Sequence, residues 1–576
     1  MSKQSLLTII EQAANQLGLV GQVKLEKPAR AEFGDLSTNL AMLSHQQVQD
    51  QFKSPRDLAL AIIEQIKRHD HDQLIKELSL AGPGFINLHL SDQYFLRQLQ
   101  LLANQSTLQL QNLGQGKTVI VEYSSPNIAK PFTVGHLRST IIGDSVANIL
   151  EASGYRVFRD NHLGDWGTQF GKQIVAIKKF GDESVIANSD RPVEELVALY
   201  VKFHQEAEID PSLEDEARAW FSNLEQGDQE ARRLWQHCID WSFKEFAEIY
   251  EQLGVSFTEN NGRGYGESFF EPMLQPLIQE LQASGLAKAG KEDAILIFYP
   301  DDELSPLMIA KKDGSTLYAT RDLATDKWRK DNPRYQNPDG SPPLVINEVG
   351  AEQAFYFQQI YRAEELLGWY QKGQRVHVKH GLYRFKEGKM STRKGNVIWL
   401  QEVLAKAKDK ALSFTKDEEI AQAVSIAALK WNDLKRKSEI NINFDWEEIL
   451  NLQGNSGPYM LYSYARAMSV LNKAATSQEV GEANQSKLAL TDLEKTLIAA
   501  LMEFADVVAR SASEFSPHYL CNYLFDLAQN FNSFYNKHQI LKDSVKRDLR
   551  LQLVRQTATT LKEGLALLGI KTMAQM

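Results

Sequence analysis

The chain has 576 residues, 43% of them hydrophobic and 24% charged, and its formal net charge is −10 at pH 7. This composition is typical of a globular protein with three or more domains of roughly 100–200 residues each, and the acidic balance disfavours a general nucleic-acid binder, which needs an excess of lysine and arginine. The two cysteines, Cys238 and Cys521, stand far apart without metal-ligand spacing, so neither a disulfide framework nor a zinc site is expected and a cytoplasmic location is predicted.

The first 112 residues or so predict a small α/β domain. Apolar residues on one face of Met1–Leu19 favour a packed amphipathic helix over a signal peptide. Glycine-containing turns lie at Phe33–Asp35 and Ala81–Gly84, and an alternating strand, Phe85–Leu90, follows the second turn. No run approaches the ~18 apolar residues of a membrane-spanning helix, so no membrane association is expected.

A strand, a polar loop and a helix follow in order at Thr118–Tyr123, Ser124–His136 and Leu137–Leu150. The amino end of a helix offers unpaired N–H groups and the positive end of its dipole. Such a junction can therefore bind phosphate groups. Gly135 lets a ligand approach the backbone closely, and His136 adds a hydrogen-bond donor beside it.

Alternating strands and helices from about Lys117 onward predict a parallel sheet. The polar, charged region at about 175–290 interrupts this alternation and predicts a helical insertion. From about Leu400 the pattern is helical to the end, with a capping box at Thr491–Glu494. Further predicted strands are Tyr155–Asp160, Ala294–Tyr299, Leu344–Ile346 and Arg375–Val378, with a hairpin turn at Asp313–Gly314.

A second phosphate-binding candidate is the basic, hydroxyl-rich loop Lys389–Gly395. Alone, such a run is more often a solvated surface loop. It can also close on a triphosphate and place ammonium groups on developing negative charge. Together with Ser124–His136, it resembles the two ATP-binding signatures of the class I aminoacyl-tRNA synthetases, which occur in this order on a Rossmann-like sheet.

The resemblance narrows to the bacterial-type arginyl-tRNA synthetases and extends from Phe33–Asp35 to Leu567–Lys571. Asn161–Gly171 matches a block that we place at the rim of the site. The resemblance implies a multidomain α/β fold. Its expected domains are an N-terminal tRNA-contacting domain (1–112), a Rossmann-like catalytic domain (113–400, insertion about 175–290) and an all-α anticodon-binding domain (401–576).

Tyr318 and Asp322 lie four residues apart and would share one face of a helix. A carboxylate suits a guanidinium because two parallel hydrogen bonds fit its planar fork. In isolation, a surface pair in which Asp322 meets Arg321 or Arg329 is favoured. The resemblance implies instead an arginine site formed by Glu122, Ser125, Asn127, Tyr318, Asp322 and Gln353.

The same resemblance implies the ATP site and the catalytic groups. His380 by itself would be interpreted as a packing or surface histidine. The ATP-binding residues expected from the resemblance are Thr133, Gly135, His136, His380, Gly381, Lys389, Met390 and Ser391. Those expected to act on the phosphates are His136, Lys389, Lys394 and Lys130, with Mg²⁺ accompanying ATP and no protein-bound metal.

RNA contacts are expected in the helical C-terminal part, where Gly457–Arg466 combines several tyrosines with an arginine. Aromatic faces stack on unpaired bases, and arginine binds base edges or phosphates. Taken alone, the tyrosines are more often helix packing, and Lys435–Lys437 is more often a solvated face. The resemblance implies that Tyr459, Arg466, Tyr535 and Met576 contact the anticodon loop.

The implied activity is ATP-dependent joining of L-arginine to tRNA(Arg) by a monomeric enzyme. Thr133 departs from the family pattern, which usually has histidine there. Two alternatives stay open at this point. One is a nucleotidyltransferase of the same superfamily, which would lack the helical region after Leu400. The other is a catalytically weakened RNA-binding paralogue, which should have lost pocket residues such as Asn127, Asp322 or Lys389.

Overall fold

The computed structural model describes residues 3–28, 30–104, 108–290, 293–312, 314–384, 398–476 and 488–576. It confirms the predicted multidomain α/β fold with a parallel sheet and a helical C-terminal part. None of the helices in these ranges is long and apolar enough to cross a membrane.

The N-terminal part packs helices against a three-stranded antiparallel sheet of order β1-β3-β2. Gly34 has φ of +103°, and a Cβ there would lie 2.6 Å from the carbonyl oxygen of Leu88. The turn before β1 therefore requires glycine. The elements are α1 (Gln4–Gln16), β1 (Leu36–Thr38), α2 (Leu40–Ser44), α3 (Pro55–His69), β2 (Ile75–Ala81), β3 (Phe85–Leu90) and α4 (Asp92–Ala103).

The central sheet has four parallel strands in the order β10-β9-β4-β5. Every residue of β4 is buried, as expected for a strand covered on both faces. The carboxyl ends of the strands meet at one edge, where ligands bind in such sheets. The elements are β4 (Thr118–Glu122), α5 (Val134–Ala152), β5 (Arg156–Asp160), α13 (Tyr318–Asp331), β9 (Leu344–Gly350), α14 (Ala354–Leu366), β10 (Arg375–His380) and β11 (Tyr383–Arg384).

The predicted insertion is helical, as expected, but its first helix begins at Gln169. A small antiparallel sheet of order β6-β7-β8 follows the helices. Ala310 pairs with Thr316 across the predicted hairpin, whose Asp313 lies outside the described residues. The elements are α6 (Gln169–Phe180), α7 (Glu183–Asn188), α8 (Pro192–Ile209), α9 (Ser212–Glu225), α10 (Gln229–Leu253), α11 (Glu267–Phe270), α12 (Leu274–Ala283), β6 (Ala287–Ala289), β7 (Ile295–Ile297) and β8 (Leu307–Ala310).

The described residues of the C-terminal part, 401–476 and 488–576, form helices and one two-residue strand, β12, which pairs with β11. Two residues carry no periodic signal, so the sequence did not predict it. The capping box is confirmed, since Thr491 N donates to Glu494 Oε2 at 2.8 Å and Glu494 N to Thr491 Oγ1 at 3.3 Å. The elements are α15 (Leu400–Ala411), α16 (Glu418–Leu434), β12 (Ile442–Asn443), α17 (Trp446–Ile449), α18 (Gly457–Ala475), α19 (Asp492–Met502), α20 (Phe504–Ser513), α21 (His518–Lys537) and α22 (Arg547–Leu567).

Candidate active site

The loop between β4 and α5 is held in an unusual backbone conformation. Ser124, Ser125 and Ala129 have φ of 72°, 45° and 56°, in the left-handed region. Each such residue costs on the order of 1 kcal/mol, so the surroundings must impose the shape. The backbone N–H groups of these residues donate to side chains of Ser139 (2.9 Å), Asn161 (3.0 Å) and Ser242 (3.0 Å), respectively.

His136 lies in the first turn of α5, which Thr133 precedes as the cap residue. The N–H of Thr133 donates to His136 Nδ1 at 2.9 Å, and the Thr133 hydroxyl lies 3.1 Å from the same nitrogen. Burial, together with the charges of His380 and Lys130, lowers the pKa of His136 to about 4. His136 is therefore neutral at pH 7, with its hydrogen on Nε2 free to donate.

Gly135 leaves open space at the amino end of α5. A Cβ on Gly135 would have a single neighbour within 4 Å among the described residues, the Thr133 hydroxyl at 3.4 Å. Lys130 lies in the same loop, and burial lowers the pKa of its ammonium group while Glu267 opposes that effect. A phosphate group placed against this turn would meet backbone N–H groups and a nearby cation.

Both flanks of the predicted Lys389–Gly395 loop are anchored to the α5 region. On the C-terminal side, Leu400 N donates to Phe132 O at 2.9 Å and Trp399 pairs with Thr133. Lys389, Met390, Ser391 and Lys394 themselves lie outside the described residues. The described residues after the loop, 398–400, therefore lie beside the turn that contains Gly135 and His136.

On the N-terminal side, the Tyr383 hydroxyl donates to Asp433 at 2.7 Å. Asp433 also binds the guanidinium of Arg138, two residues after His136, with N–O distances of 3.1–3.2 Å. Arg138 donates further to the carbonyls of Ile440 and Ser438. This buried pair joins the helix of the phosphate-binding turn to the C-terminal part.

His380 and Gly381 stand at the end of β10. His380 Nδ1 lies 2.9 Å from Glu348 Oε1. Burial disfavours charge on the ring, but the Glu348 carboxylate outweighs it and raises the pKa of His380. A Cβ on Gly381 would lie 2.7 Å from the carbonyl oxygen of Glu439, so the close approach of the 438–441 backbone requires glycine here.

Glu122 ends β4 and is already paired inside the protein. One oxygen lies 2.6 Å from Arg329 Nη2, and the other accepts from Asn347 Nδ2 at 2.9 Å. Burial alone would raise the pKa of Glu122, but the charge of Arg329, with smaller contributions from His162 and Asn347, holds it at about 2. Glu122 is therefore a fixed negative charge at the end of β4. We call the region around Glu122, His162 and Asp322 the cleft.

Asp322, one turn into α13, has different partners. Its Oδ2 accepts the hydroxyl of Tyr356, and its Oδ1 lies 3.9 Å from His162 Nε2. Among the described residues, no lysine or arginine forms an ion pair with it. Burial raises the pKa of Asp322 to about 7. This carboxylate is available to a cationic ligand.

The remaining predicted arginine-site residues differ in their surroundings. Asn127 pairs with Gly164, where any larger residue would collide with the Asn127 side chain. Tyr318 is 67% exposed at the start of α13, with its ring 6.4 Å from that of Tyr356. Gln353 is exposed in the turn after β9.

In the C-terminal part, α18 and α21 bring three of the predicted RNA-contact residues together. Arg466 donates to Asn532 Oδ1 at 2.6 Å, and Asn532 Nδ2 donates to the Tyr459 hydroxyl at 2.9 Å. The Arg466 guanidinium lies 5.0 Å from the ring centre of Tyr535 and 4.8 Å from that of Tyr462. Met576, at the end of the chain, is exposed.

Three family models match the chain. The "tRNA synthetases class I (R), catalytic domain" model matches residues 98–446. The "Arginyl tRNA synthetase N terminal domain" model matches 4–90, and the "DALR anticodon binding domain" model matches 460–576. The arginine–tRNA ligase of Fusobacterium nucleatum is 37% identical, over 96% of this chain and 95% of that protein. That of Streptococcus suis is 38% identical, with coverage of 96% and 95%.

The chain belongs to the arginyl-tRNA synthetase family.

Solved structures of the family share this fold. The Plasmodium falciparum arginyl-tRNA synthetase superposes with a TM-score of 0.77 at 24% identity, covering 100% of this chain and 99% of that one. The Thermus thermophilus arginyl-tRNA synthetase gives 0.76 at 24% identity, with both chains fully covered. The alternative of a weakened RNA-binding paralogue is not supported.

Sequence reasoning missed several side chains that build the site of this family member. Arg329 was considered only as a surface partner of Asp322, yet it is buried between Glu122, Asp160 and Asp326. Tyr356, which donates to Asp322, was not predicted as a site residue. His162 was predicted only as part of the Asn161–Gly171 block at the rim of the site, without a role of its own. Tyr356 falls three residues after the predicted Gln353, and that proximity was the only available signal.

Proposed function

We propose that the protein activates L-arginine with ATP, forming arginyl-adenylate and pyrophosphate, and then transfers arginine to the 3′ end of tRNA(Arg), releasing AMP. It is an ATP-dependent arginine–tRNA ligase. The observation that carries the substrate assignment is Asp322, a carboxylate in the cleft that hydrogen-bonds a neutral tyrosine and forms no ion pair with lysine or arginine among the described residues. A guanidinium is the side chain that best complements it.

In the first step, an oxygen of the arginine carboxylate attacks the α-phosphorus of ATP, and pyrophosphate leaves. No protein nucleophile is needed, so the protein acts by positioning and by stabilising charge. Neutral His136 donates from Nε2 to the phosphates, Gly135 admits the nucleotide, and Lys130 adds positive charge. Mg²⁺ enters with ATP and shares the phosphate charge.

Lys389 and Lys394 are proposed to act on the β- and γ-phosphates. This assignment is supported by the two flanks of their loop. The C-terminal flank hydrogen-bonds to Phe132 beside the phosphate-binding turn, and the N-terminal flank hydrogen-bonds to Asp433, which binds Arg138 of α5. His380 and Gly381 are proposed to face the adenine, and Thr133, Met390 and Ser391 complete the ATP site.

For arginine, we propose that Asp322 and Tyr318 contact the guanidinium. Ser125, Asn127 and Gln353 bind the amino-acid end, where the loop after β4 brings two of them next to the phosphate-binding turn. Glu122, at the end of β4, contributes a fixed negative charge to the arginine site. In the second step, the 2′-hydroxyl of the terminal tRNA ribose attacks the adenylate carbonyl, and AMP leaves.

For tRNA, we propose that Tyr459, Arg466, Tyr535 and Met576 form the anticodon contact and that residues 1–112 contact the tRNA elbow. The support is the cluster in which Arg466 lies between the exposed rings of Tyr462 and Tyr535. Aromatic and guanidinium groups in such a cluster stack on unpaired bases. The enzyme is proposed to act as a cytoplasmic monomer, with domains at 1–112, 113–400 and 401–576.

Pyrophosphate exchange with each of the twenty amino acids, with and without tRNA(Arg), tests the function. We expect exchange with arginine alone, and we expect it to require tRNA. Exchange with another amino acid would contradict the substrate assignment. Exchange without transfer to tRNA would contradict the second step.

Thr133 is the residue most open to an activity defect. Its hydroxyl can supply one hydrogen bond but not an imidazolium charge. Because a single neutral hydrogen bond contributes about 1 kcal/mol, we expect Thr133→His to change the aminoacylation rate by no more than about tenfold. Steady-state charging of tRNA(Arg) measures this. The absence of detectable charging by the unmodified protein would refute the expectation.

A further inference from the structure

His162 follows β5 and points into the cleft beside Asp322. Its Nδ1 lies 3.1 Å from the carbonyl oxygen of Tyr265, so Nδ1 must carry a hydrogen. Its Nε2 is buried without a hydrogen-bond partner among the described residues. The nearest charged oxygen is Asp322 Oδ1, 3.9 Å away. This nitrogen has no role in the two proposed reaction steps.

The fixed hydrogen on Nδ1 decides what Nε2 can be. In a neutral ring, the lone pair of Nε2 would face the Asp322 oxygen, and the two would repel each other. A second proton, on Nε2, turns this repulsion into attraction. The other oxygen of Asp322 is already occupied by the Tyr356 hydroxyl, so Oδ1 is the one left for His162.

The surroundings of His162 favour the charged ring. Burial by itself lowers the pKa of His162, but the carboxylates of Glu122 and Asp322 outweigh burial and raise it above its ordinary value. Arg329 is the opposing cation, and it is itself shared between Glu122 and Asp160. The charged and titratable groups that face the ring are Glu122 of β4, Asp165 of the loop after β5, Glu267 of α11, and Asp322 and Arg329 of α13.

We propose that His162 holds a proton in the arginine-free site and releases it to solvent when the guanidinium of arginine binds Asp322. The neutral Nε2 then accepts one guanidinium N–H. The inference rests on the proposed function, because it requires arginine in this cleft. The only bond broken is the Nε2–H bond, and water takes up the proton. One cation thus replaces another, and the buried Asp322 carboxylate is never left unpaired.

Calorimetry of L-arginine binding to the full-length enzyme tests the proton count. Titrations at pH 7 in phosphate, HEPES and Tris separate the heat of binding from the heat of buffer protonation. We expect His162 to release up to about one proton per arginine, in addition to any proton still held by Asp322, and the count to fall towards zero as the pH rises above the pKa of both groups. A binding heat that does not depend on the buffer would overturn the inference. No arginine binding in any buffer would instead count against the proposed function.

NMR of the enzyme with ¹³C-labelled histidine identifies the group that loses the proton. His162→Asn keeps an N–H that can donate to Tyr265 O, so its spectrum assigns the His162 signal by subtraction. We expect that signal to move from the imidazolium position to the neutral position when arginine saturates the site. His136, neutral in both states, is the internal control. A His162 signal that stays in place would overturn the inference.

The same variant tests the second half of the proposal. At a pH high enough for the binding heat to have lost its dependence on the buffer, the ring is neutral in both states, and His162→Asn then only removes the acceptor for one guanidinium N–H. A hydrogen bond to a charged group contributes about 1.5–3 kcal/mol, so arginine should bind at least about tenfold more weakly. Equal affinity of the two proteins at that pH would refute the acceptor role.

Discussion

The end of β4 and the first turns of α13 each place one carboxylate in the cleft, and the two carboxylates behave in opposite ways. Glu122 lies against Arg329 and Asn347, and its pKa is held at about 2. Asp322 meets a tyrosine hydroxyl and a histidine, and burial raises its pKa to about 7. The side chain of Glu122 is 10% exposed and that of Asp322 is 26% exposed. Burial acts on both groups, and the opposite directions of their pKa shifts come from their partners.

The contrast distinguishes a carboxylate that stabilises the fold from one that serves a ligand. Glu122 belongs to a network in which Arg329 also binds Asp160 and Asp326. That network balances charge within the protein. The negative charge of Asp322 is neutralised only when a cation binds or a proton stays nearby. A binding site for a cationic substrate requires such a group.

Arg329→Met removes the cation that pairs with Glu122 at the end of β4, and it should have the largest effect of the substitutions. Removing this buried cation leaves Glu122 and Asp160 without their arginine, while Asp326 keeps its ion pair with Arg375. We expect a cost of about 3–5 kcal/mol in the free energy of unfolding. Urea denaturation at pH 7 measures the change. Arg97→Met is the control, because Arg97 pairs with Asp72 on the surface and such pairs contribute about 1 kcal/mol or less. Equal losses for the two variants would contradict the network.

Asp322→Asn removes the carboxylate charge that α13 contributes to the cleft. Removing one partner of a desolvated charge pair costs about 2–5 kcal/mol, so kcat/KM for arginine should fall roughly 30-fold to several-thousand-fold. Stability at pH 8 should not fall, because an ionised carboxylate with a raised pKa opposes folding. Asp331→Asn, at the exposed end of the same helix, is the matched control. A variant that keeps wild-type kcat/KM would remove Asp322 from the arginine site.

The pH dependence of KM for arginine sharpens the comparison. Asp322 must be ionised to bind a guanidinium, and its pKa lies near 7. Titration of Asp322 alone should therefore raise KM by up to about tenfold for each pH unit below 7, and any proton that His162 releases adds to this slope. Glu122, with a pKa of about 2, should add no further change between pH 4 and 6. A flat profile from pH 5.5 to 8.5 would contradict the assignment.

Tyr356→Phe should have the smallest effect. It removes the hydroxyl that donates to Asp322, so the carboxylate binds its proton more tightly and the acid limb of the KM profile moves to higher pH. At pH 7, KM for arginine should rise by about threefold to tenfold. Tyr361→Phe serves as the control, since the Tyr361 hydroxyl lies 3.0 Å from Asn347 and does not contact Asp322. An unchanged acid limb would show that Tyr356 does not tune Asp322.

Local patterns predicted the elements of the site well. β4, the loop after it and α5 follow from a short apolar run, a polar stretch and helical spacing, all contiguous in the chain. The capping box at Thr491 was equally visible, because its two hydrogen bonds join residues three apart. The choice of Asp322 over other acidic residues came from the family resemblance, since a carboxylate four residues from a tyrosine is common on helix surfaces.

The partners of these groups could not be predicted in the same way. Arg329 reaches Asp160 across 169 positions of the chain, and Arg138 reaches Asp433 across 295. An arginine on a helix looks the same in sequence whether its guanidinium is in water or beneath a sheet. Which partner it finds depends on how the layers stack, and a single sequence carries no periodic signal for that.

The Arg138–Asp433 pair has a consequence for how this chain can be cut or recombined. The guanidinium is fully buried, and it depends on the carboxylate of α16 and on two carbonyls in the segment that follows. A fragment ending near residue 400 would lose that carboxylate and both carbonyls, and Arg138 of α5 would be left exposed to water without its partners. A chimaera that joins the C-terminal half of a relative to the N-terminal half of this chain should fold only if the relative supplies a carboxylate at the position of Asp433. The favourable position for recombination therefore lies after Asn443, downstream of the proposed domain border at residue 400.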